Sequence, residues 1–450
     1  MDERDTPATG VLPGGRPADR GAGRTVVVWV AAGALAWALT RALVVWLLLD
    51  RHAWVAGDLA YFEQSLAAVP DLGLASTLVE YPLPGVLVVV LPGFLASLVG
   101  APGAYAETVL ALSLLADAAF TVLLALLGGR RRRTAATVWI LAVPLLGATT
   151  YARFDLVPGV LVGVALLVWS RRPRLAAAAG AVATGLKLWP ALVLPALAAP
   201  AATRRVVTVV VAVVGGLLAT ASLVVAGWDR LVSPLTWQAE RGLQIESVAA
   251  SPAMVAWAMA PDRYAVGFTE HNAYEVAGPG VGELLAVAET VSLLLVAGLL
   301  GLWLLAFRRG RDLGPDAVVW LVLAAVAAFV VTSKVLSPQY LLWLLPLASA
   351  AVAVSGERSV RLWTVLLLVA TASTQLVFPE LYGNLTADGA HRAWTVLVLV
   401  VRNALLVWLT AWAVACAVGA VSAAGRSSAT HPDRRGATRA PSGGGPTTRA

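Results

Sequence analysis

Apolar residues run along this chain in long, nearly unbroken stretches, and the two-residue alternation of a barrel strand is absent. Stretches close to the length needed to cross a hydrocarbon layer recur from position 26 almost to 419, separated by short polar connectors. In hydrocarbon every backbone N–H and C=O must be satisfied within its own segment, so these stretches are predicted to be helices. The pattern reads as an all-α, polytopic transmembrane bundle of about 10–12 helices, with crossings over 26–49, 108–127, 134–150, 156–169, 206–227, 281–307, 317–332, 340–354, 363–378 and 394–414. The first stretch is too long for the apolar core of a signal peptide and is expected to be a retained helix.

Arginines punctuate this pattern. The clusters Arg130 to Arg133, Arg171 to Arg174, Arg204/Arg205, Arg308 to Arg311 and Arg358/Arg361 all flank apolar stretches, and the positive-inside rule puts them on the cytoplasmic side. Parity then strains two proline-containing segments. Positions 83–99, with Pro84 and Pro92, are expected to be re-entrant or interfacial. Between Arg174 and Arg204 the apolar run is interrupted at Lys187-Leu188-Trp189-Pro190, which suits a helical hairpin with its apex at the outer face. The first 24 residues and those from 420 onward are Pro/Gly/Arg-rich and Ser/Gly/Thr/Arg-rich and read as disordered cytoplasmic ends around a membrane domain over 25–419.

Composition agrees: 59% hydrophobic and 13% charged residues, with a mean hydropathy of +0.79, exclude a soluble domain. A net charge of +7 would suit nucleic acid, but its arginines sit beside apolar stretches as topology signals, so nucleic acid is not an expected partner. A single cysteine, Cys416, excludes a disulfide framework and a cysteine metal site.

The topology sends a set of polar residues to the extracytoplasmic side. In the outer loop 50–80, a helix over 59–69 would lie along the membrane surface, with Asp58 either capping it or acting as a general base; Tyr61 sits on its first turns. Arg153 and Asp155 occupy a short turn, where an ion pair between them is the simpler explanation. Lys187, beside Trp189 and Pro190, and Lys334, beside Ser337, Gln339 and Tyr340, present ammonium groups at helix ends. With Arg241 they suit a lipid phosphate, although ordinary headgroups would satisfy them too. Gln244 and Glu246 lie in the second outer loop, 228–280, whose Trp237 suits sugar stacking or the interfacial aromatic belt. No nucleotide-binding glycine loop, HExxH, Cys/His cluster or Asp-x-Asp tandem occurs, which argues against a nucleotide-linked donor.

Taken in order, Gly57-Asp58 with Tyr61, Tyr81-Pro82, Arg153-Phe154-Asp155-Leu156, Gly185 to Pro190, Arg241 to Ser247 and Ser333 to Tyr340 carry a family resemblance. The chain resembles the polyprenyl-phosphate-sugar-dependent glycosyltransferases of the GT-C superfamily, and within them glycosyltransferase family 87, of the actinobacterial α-mannosyltransferase type. The resemblance implies a GT-C fold and a first-loop acid, here Asp58, as the general base. It also implies a polyprenyl-phosphate sugar, mannose first, as donor and an envelope glycolipid or polysaccharide as acceptor. Donor-phosphate contacts would fall to Lys187, Arg241, Lys334 and Arg153, and substrate contacts to Tyr61, Asp155, Trp189, Gln244, Glu246, Ser337, Gln339 and Tyr340. No cofactor is called for, and a divalent metal remains open. The rival expectations are a lipid or sugar transporter, which also uses broken helices, and a non-catalytic subunit of envelope assembly.

Overall fold

The computed structural model describes residues 19–386 and 389–429. Among the described residues the chain is helical almost throughout, and one two-stranded hairpin is the only sheet. Seven helices are long and apolar enough to cross a membrane: α1 (Asp19–Trp46), α5 (Tyr105–Leu127), α10 (Ala201–Glu240), α12 (Val281–Arg308), α13 (Pro315–Thr332), α15 (Arg358–Gln375) and α17 (Arg392–Ala429). Shorter apolar helices fill the spaces between them, among them α4 (Leu83–Leu98), α7 (Leu156–Val168) and α14 (Leu341–Val354). α6 (Arg132–Leu146) and α8 (Pro173–Leu186) complete the bundle. The first and last helices reach beyond the expected limits of the membrane domain, to Asp19 and Ala429; the remainder of both expected disordered ends lies outside the described residues.

Burial sorts these helices into an inner and an outer set. In α13, 72% of the most apolar window is buried within the protein, against 6% in α10, where Leu217 and Val224 point outward. A surface that apolar is stable only against lipid, and the chain is a polytopic helical membrane protein. α13, α14 and α7 form the interior, with α17 packed along α13 and α6 against α14.

The second proline-containing segment turns as a hairpin, and the first is a short helix packed beside α5 and α8. α4 starts against α8, where Gly85 approaches the Leu186 carbonyl so closely that any side chain would collide with it. α5 then begins at Tyr105, whose hydroxyl donates to the Val89 carbonyl in the middle of α4 (3.0 Å) and so ties the start of α5 to that helix. α8 ends at Lys187, and the chain returns through a 3-10 turn (Trp189–Leu192) and α9 (Leu194–Ala198), finishing where Ala201 N–H donates to the Gly310 carbonyl (2.7 Å).

The arginine clusters collect at one end of the bundle. Arg171 donates to the Leu127 carbonyl, Arg204 to those of Ala199 and Phe307, and Arg309 to that of Val421. One charge pair lies deeper. The Asp117 carboxylate on α5 receives Arg41 (Nε and Nη2, both 2.8 Å), Trp37 Nε1 (3.0 Å), Trp139 Nε1 (2.6 Å) and the Tyr151 hydroxyl (3.0 Å). Every lone-pair direction of that carboxylate is filled, and the cluster ties α1, α5 and α6 together.

Candidate functional site

At the end opposite the arginine clusters, short helices and loops replace the long rods. α2 (Gly57–Ala67) begins two residues earlier than expected, so Asp58 stands in its first turn. The N-cap position belongs to Ala56 and no side chain caps the helix, which removes capping as the reason for Asp58. An acid in the first turn still complements the helix dipole. Arg153 faces it, Nε to Oδ2 at 3.2 Å, and anchors its own Nη1 on the Val55 carbonyl at 2.7 Å.

The expected local pair between Arg153 and Asp155 gives way to two longer-range pairs. Asp155, 1% exposed, takes both carboxylate bonds from Lys187 (2.7 and 2.8 Å) and a third from Trp343 Nε1. Lys187 lies 5.6 Å from the ring centres of both Tyr81 and Trp343. Trp189, Trp343 and Tyr340 stack in one column, with centroids 5.0 and 3.9 Å apart, so Asp155, Lys187, Trp189 and Tyr340 form one compact unit. Burial, and then the carboxylates of Asp155, Glu80 and Asp58, push the Tyr81 hydroxyl far above its ordinary range, which places that ring among all three acids.

A second unit is woven from three loops. The segment 241–250 runs between β2 (Tyr274–Ala277), paired with β1 (Ala265–Phe268), and the segment 333–340. Gln244 is committed to holding this weave: its N–H donates to the Lys334 carbonyl (3.1 Å) and its Oε1 accepts from Leu336 N–H (2.8 Å). Ser337 and Gln339 are half-buried in the same loop. Lys334 pairs with Glu289 (3.0 Å) and donates to the Ala239 carbonyl. Arg241 is half-buried, and its Nε has no partner among the described residues.

Glu246 lies beneath this weave, fully buried, 3.6 Å from Arg402 of α17. Neither carboxylate oxygen has a hydrogen-bond partner among the described residues, and Nε and Nη1 of Arg402 are equally unmatched. Burial raises the Glu246 carboxyl to about 7, with Arg402 and then the Gln244 side chain pulling the other way. Asn403 donates to the carbonyls of Glu246 (3.3 Å) and Ser247 (3.2 Å). Tyr382 stands between the units: burial, then Glu246 and Tyr274, raise its hydroxyl, while Arg153 and Arg402 oppose them.

The sequence reading passed over Arg402 and Arg230. An arginine inside the apolar run VLVVRNALLV is itself a signal, since an unpaired charge in hydrocarbon costs about 2.5–3.5 kcal/mol. Arg230 is less legible. The long helix α10 breaks at Gly227 (φ 80°), a left-handed conformation suited to glycine, and the part beyond folds back over the loop 77–81. There Arg230 donates to the carbonyls of Tyr81 (2.7 Å), Leu78 (3.0 Å) and Thr77 (3.3 Å), and Ser233 to that of Val79 (2.8 Å).

No group of three or more His, Cys, Asp or Glu side chains positioned for a metal occurs among the described residues. Fold and site together define a multi-pass membrane protein that gathers acids, cations and stacked aromatic rings at one end of its bundle. A profile of glycosyltransferase family 87 matches residues 78–333, more than half of the chain, and the protein belongs to glycosyltransferase family 87. It is therefore a membrane glycosyltransferase, with a sugar donor, an acceptor and bilayer lipids as its partners. No curated protein and no solved structure matches it. Asp58, Tyr340 and Arg402 lie outside the matched span.

Proposed function

We propose that the protein transfers mannose from a polyprenyl-phosphate donor to a cell-envelope glycolipid or polysaccharide, on the extracytoplasmic face, with inversion. The observation carrying this reading is the contrast in exposure among the acids. The Asp58 side chain is 36% exposed, whereas those of Asp155 and Glu246 are each 1% exposed and held in buried ion pairs. Of these three acids, Asp58 is the one open to an acceptor hydroxyl.

The step is a single displacement. Asp58 takes the proton of the acceptor hydroxyl as that oxygen bonds to the anomeric carbon; the bond from that carbon to the phosphate oxygen breaks and its electron pair leaves with the lipid phosphate. A β-linked donor yields an α-mannoside. Arg153, resting on the Val55 carbonyl, orients the carboxylate. Negative charge grows on the leaving phosphate, so preorganised cations stabilise the transition state. Arg241 retains an unpartnered guanidinium nitrogen for this task, and Lys187 and Lys334, paired with Asp155 and Glu289, would add positive charge. Tyr61, Trp189, Ser337, Gln339 and Tyr340 would frame the sugar.

A groove of about 180 Å3 supports the lipid part of the donor. Pro82, Thr184, Gly185, Leu188, Gly215 and Leu218 are among its lining residues, and Leu188 follows Lys187 in the chain. A prenyl chain lying there would carry its phosphate to the lysine end of the α8 break.

The test is incubation of purified protein with polyprenyl-phosphate mannose, glucose and arabinose and membrane glycolipid acceptors, for wild type and Asp58→Asn. Mannose transfer by wild type that Asp58→Asn abolishes supports the reading; no transfer from any of the donors sinks it.

A further inference from the structure

Glu80 sits in the loop 77–81 and has no part in the mechanism above. Its Oε1 accepts the Tyr61 hydroxyl at 2.9 Å. Its Oε2 is buried and has no hydrogen-bond partner among the described residues, a costly state for a carboxyl oxygen in a folded chain. The backbone leaves it little freedom to escape. Arg230 and Ser233 hold the carbonyls of Thr77, Leu78, Val79 and Tyr81, and Leu78 is fixed in the left-handed region at φ 50°. Four carbonyls held by two side chains from another helix make a rigid mount for a single acid.

The mount points at the site. The Tyr61 hydroxyl lies in the fields of both Glu80 and Asp58, and Glu80 lies in those of Arg230 and Lys187. Next to it in the chain, the Tyr81 ring stands over the Lys187 ammonium. Burial raises the Glu80 carboxyl above the usual carboxylate range, against its own backbone N–H, the Tyr61 hydroxyl, Arg230 and Lys187. The orphaned carboxyl oxygen thus belongs to a side chain that shares Tyr61 with Asp58 and feels the charge of Lys187, the residues assigned to the base and to the phosphate.

We propose that Glu80 Oε2 accepts a hydrogen bond from one hydroxyl of the donor sugar and so selects among donor sugars; the inference rests on the transferase reading above. A site built to bind a hydroxyl penalises a donor that lacks it, because the buried partner is left bare. The wild type should therefore discriminate against one singly deoxygenated donor by about 10- to 100-fold in kcat/KM, the range of a hydrogen bond to a charged group.

The experiment compares polyprenyl-phosphate mannose with its 2-, 3-, 4- and 6-deoxy analogues on wild type, Glu80→Leu and Glu80→Gln. The expected result is loss of discrimination at one ring position in Glu80→Leu, with the other positions unchanged. If Glu80→Leu does not accumulate in folded form, the isosteric Glu80→Gln narrows the same ratio. A variant that keeps every ratio, or one that lowers turnover equally on all donors, overturns the selection role while the transferase reading stands. A wild type inactive on every lipid-phosphate sugar overturns both.

Discussion

Two buried acid-arginine pairs in this protein are opposites in how they are finished. Asp117 and Arg41, in the body of the bundle, are closed on every side: the carboxylate has five donors from four residues, and the guanidinium spends its remaining nitrogen on the Ile140 carbonyl (2.8 Å) and the Thr40 hydroxyl (3.0 Å). Glu246 and Arg402, under the site, are equally buried but stand 3.6 Å apart, with two oxygens and two nitrogens unmatched. The bilayer interior penalises both arrangements, and only the first is fully compensated locally. The difference teaches that a buried charge by itself says little about function here, whereas the unmatched carboxyl oxygens, those of Glu80 and Glu246, both belong to the end that bears Asp58.

The sharpest way to break that comparison is to open the closed pair. Asp117→Ala leaves Arg41 buried without a counter-charge, and should cost about 3–5 kcal/mol of stability in a denaturant titration. Turnover per folded molecule should be unchanged; a loss of activity at unchanged stability would reverse the assignment of the two regions. Asp58→Asn should do the opposite, lowering sugar transfer by about 10²- to 10⁴-fold while leaving the unfolding midpoint near wild type. A smaller effect is expected at Glu246. Its carboxyl lies at about 7 in the fold against an ordinary value of 4.5, so the folded state binds more protons across that interval. Stability attributable to this group should therefore fall as pH rises from about 4.5 to about 7, with Arg402 as its counter-charge and Tyr382 beside it. Glu246→Gln should flatten the unfolding midpoint over that window; an unaltered slope would show that the pair is ionised throughout. Least affected should be Arg51→Gln, since the Arg51–Glu380 pair (2.7 Å) is exposed on the arginine side; less than about 1 kcal/mol is expected.

Much of this architecture was legible in the pattern of apolar and basic positions, because length and parity act on whole segments. The hairpin at Lys187 follows from the arginine clusters and the proline beside it. The pairing of side chains was not legible. Arg153 was expected to bind its neighbour two residues on, but it reaches back across the chain to Asp58, while Asp155 turns to Lys187 and Trp343. Register decides such choices, and a shift of two residues at the start of α2 was enough to move Asp58 from a cap into the helix. Arg41, Asp117 and Arg402 were visible as lone charges in apolar runs, yet nothing local distinguishes a charge that will be satisfied from one that will not. Arg230 lacked even that signal, because its role depends on the bend at Gly227.

That last rod, α17, has a practical implication for anyone wishing to shorten or graft this enzyme. It carries Arg402 to Glu246 near one face and receives Arg309 on its Val421 carbonyl near the other, so a single C-terminal segment braces both rims. The span recognised as family 87 stops at residue 333, well before it. The portion that can be recognised is thus smaller than the portion that must be inherited together, and chimeras joined at the recognised boundary should assemble only when the C-terminal brace comes from the same parent.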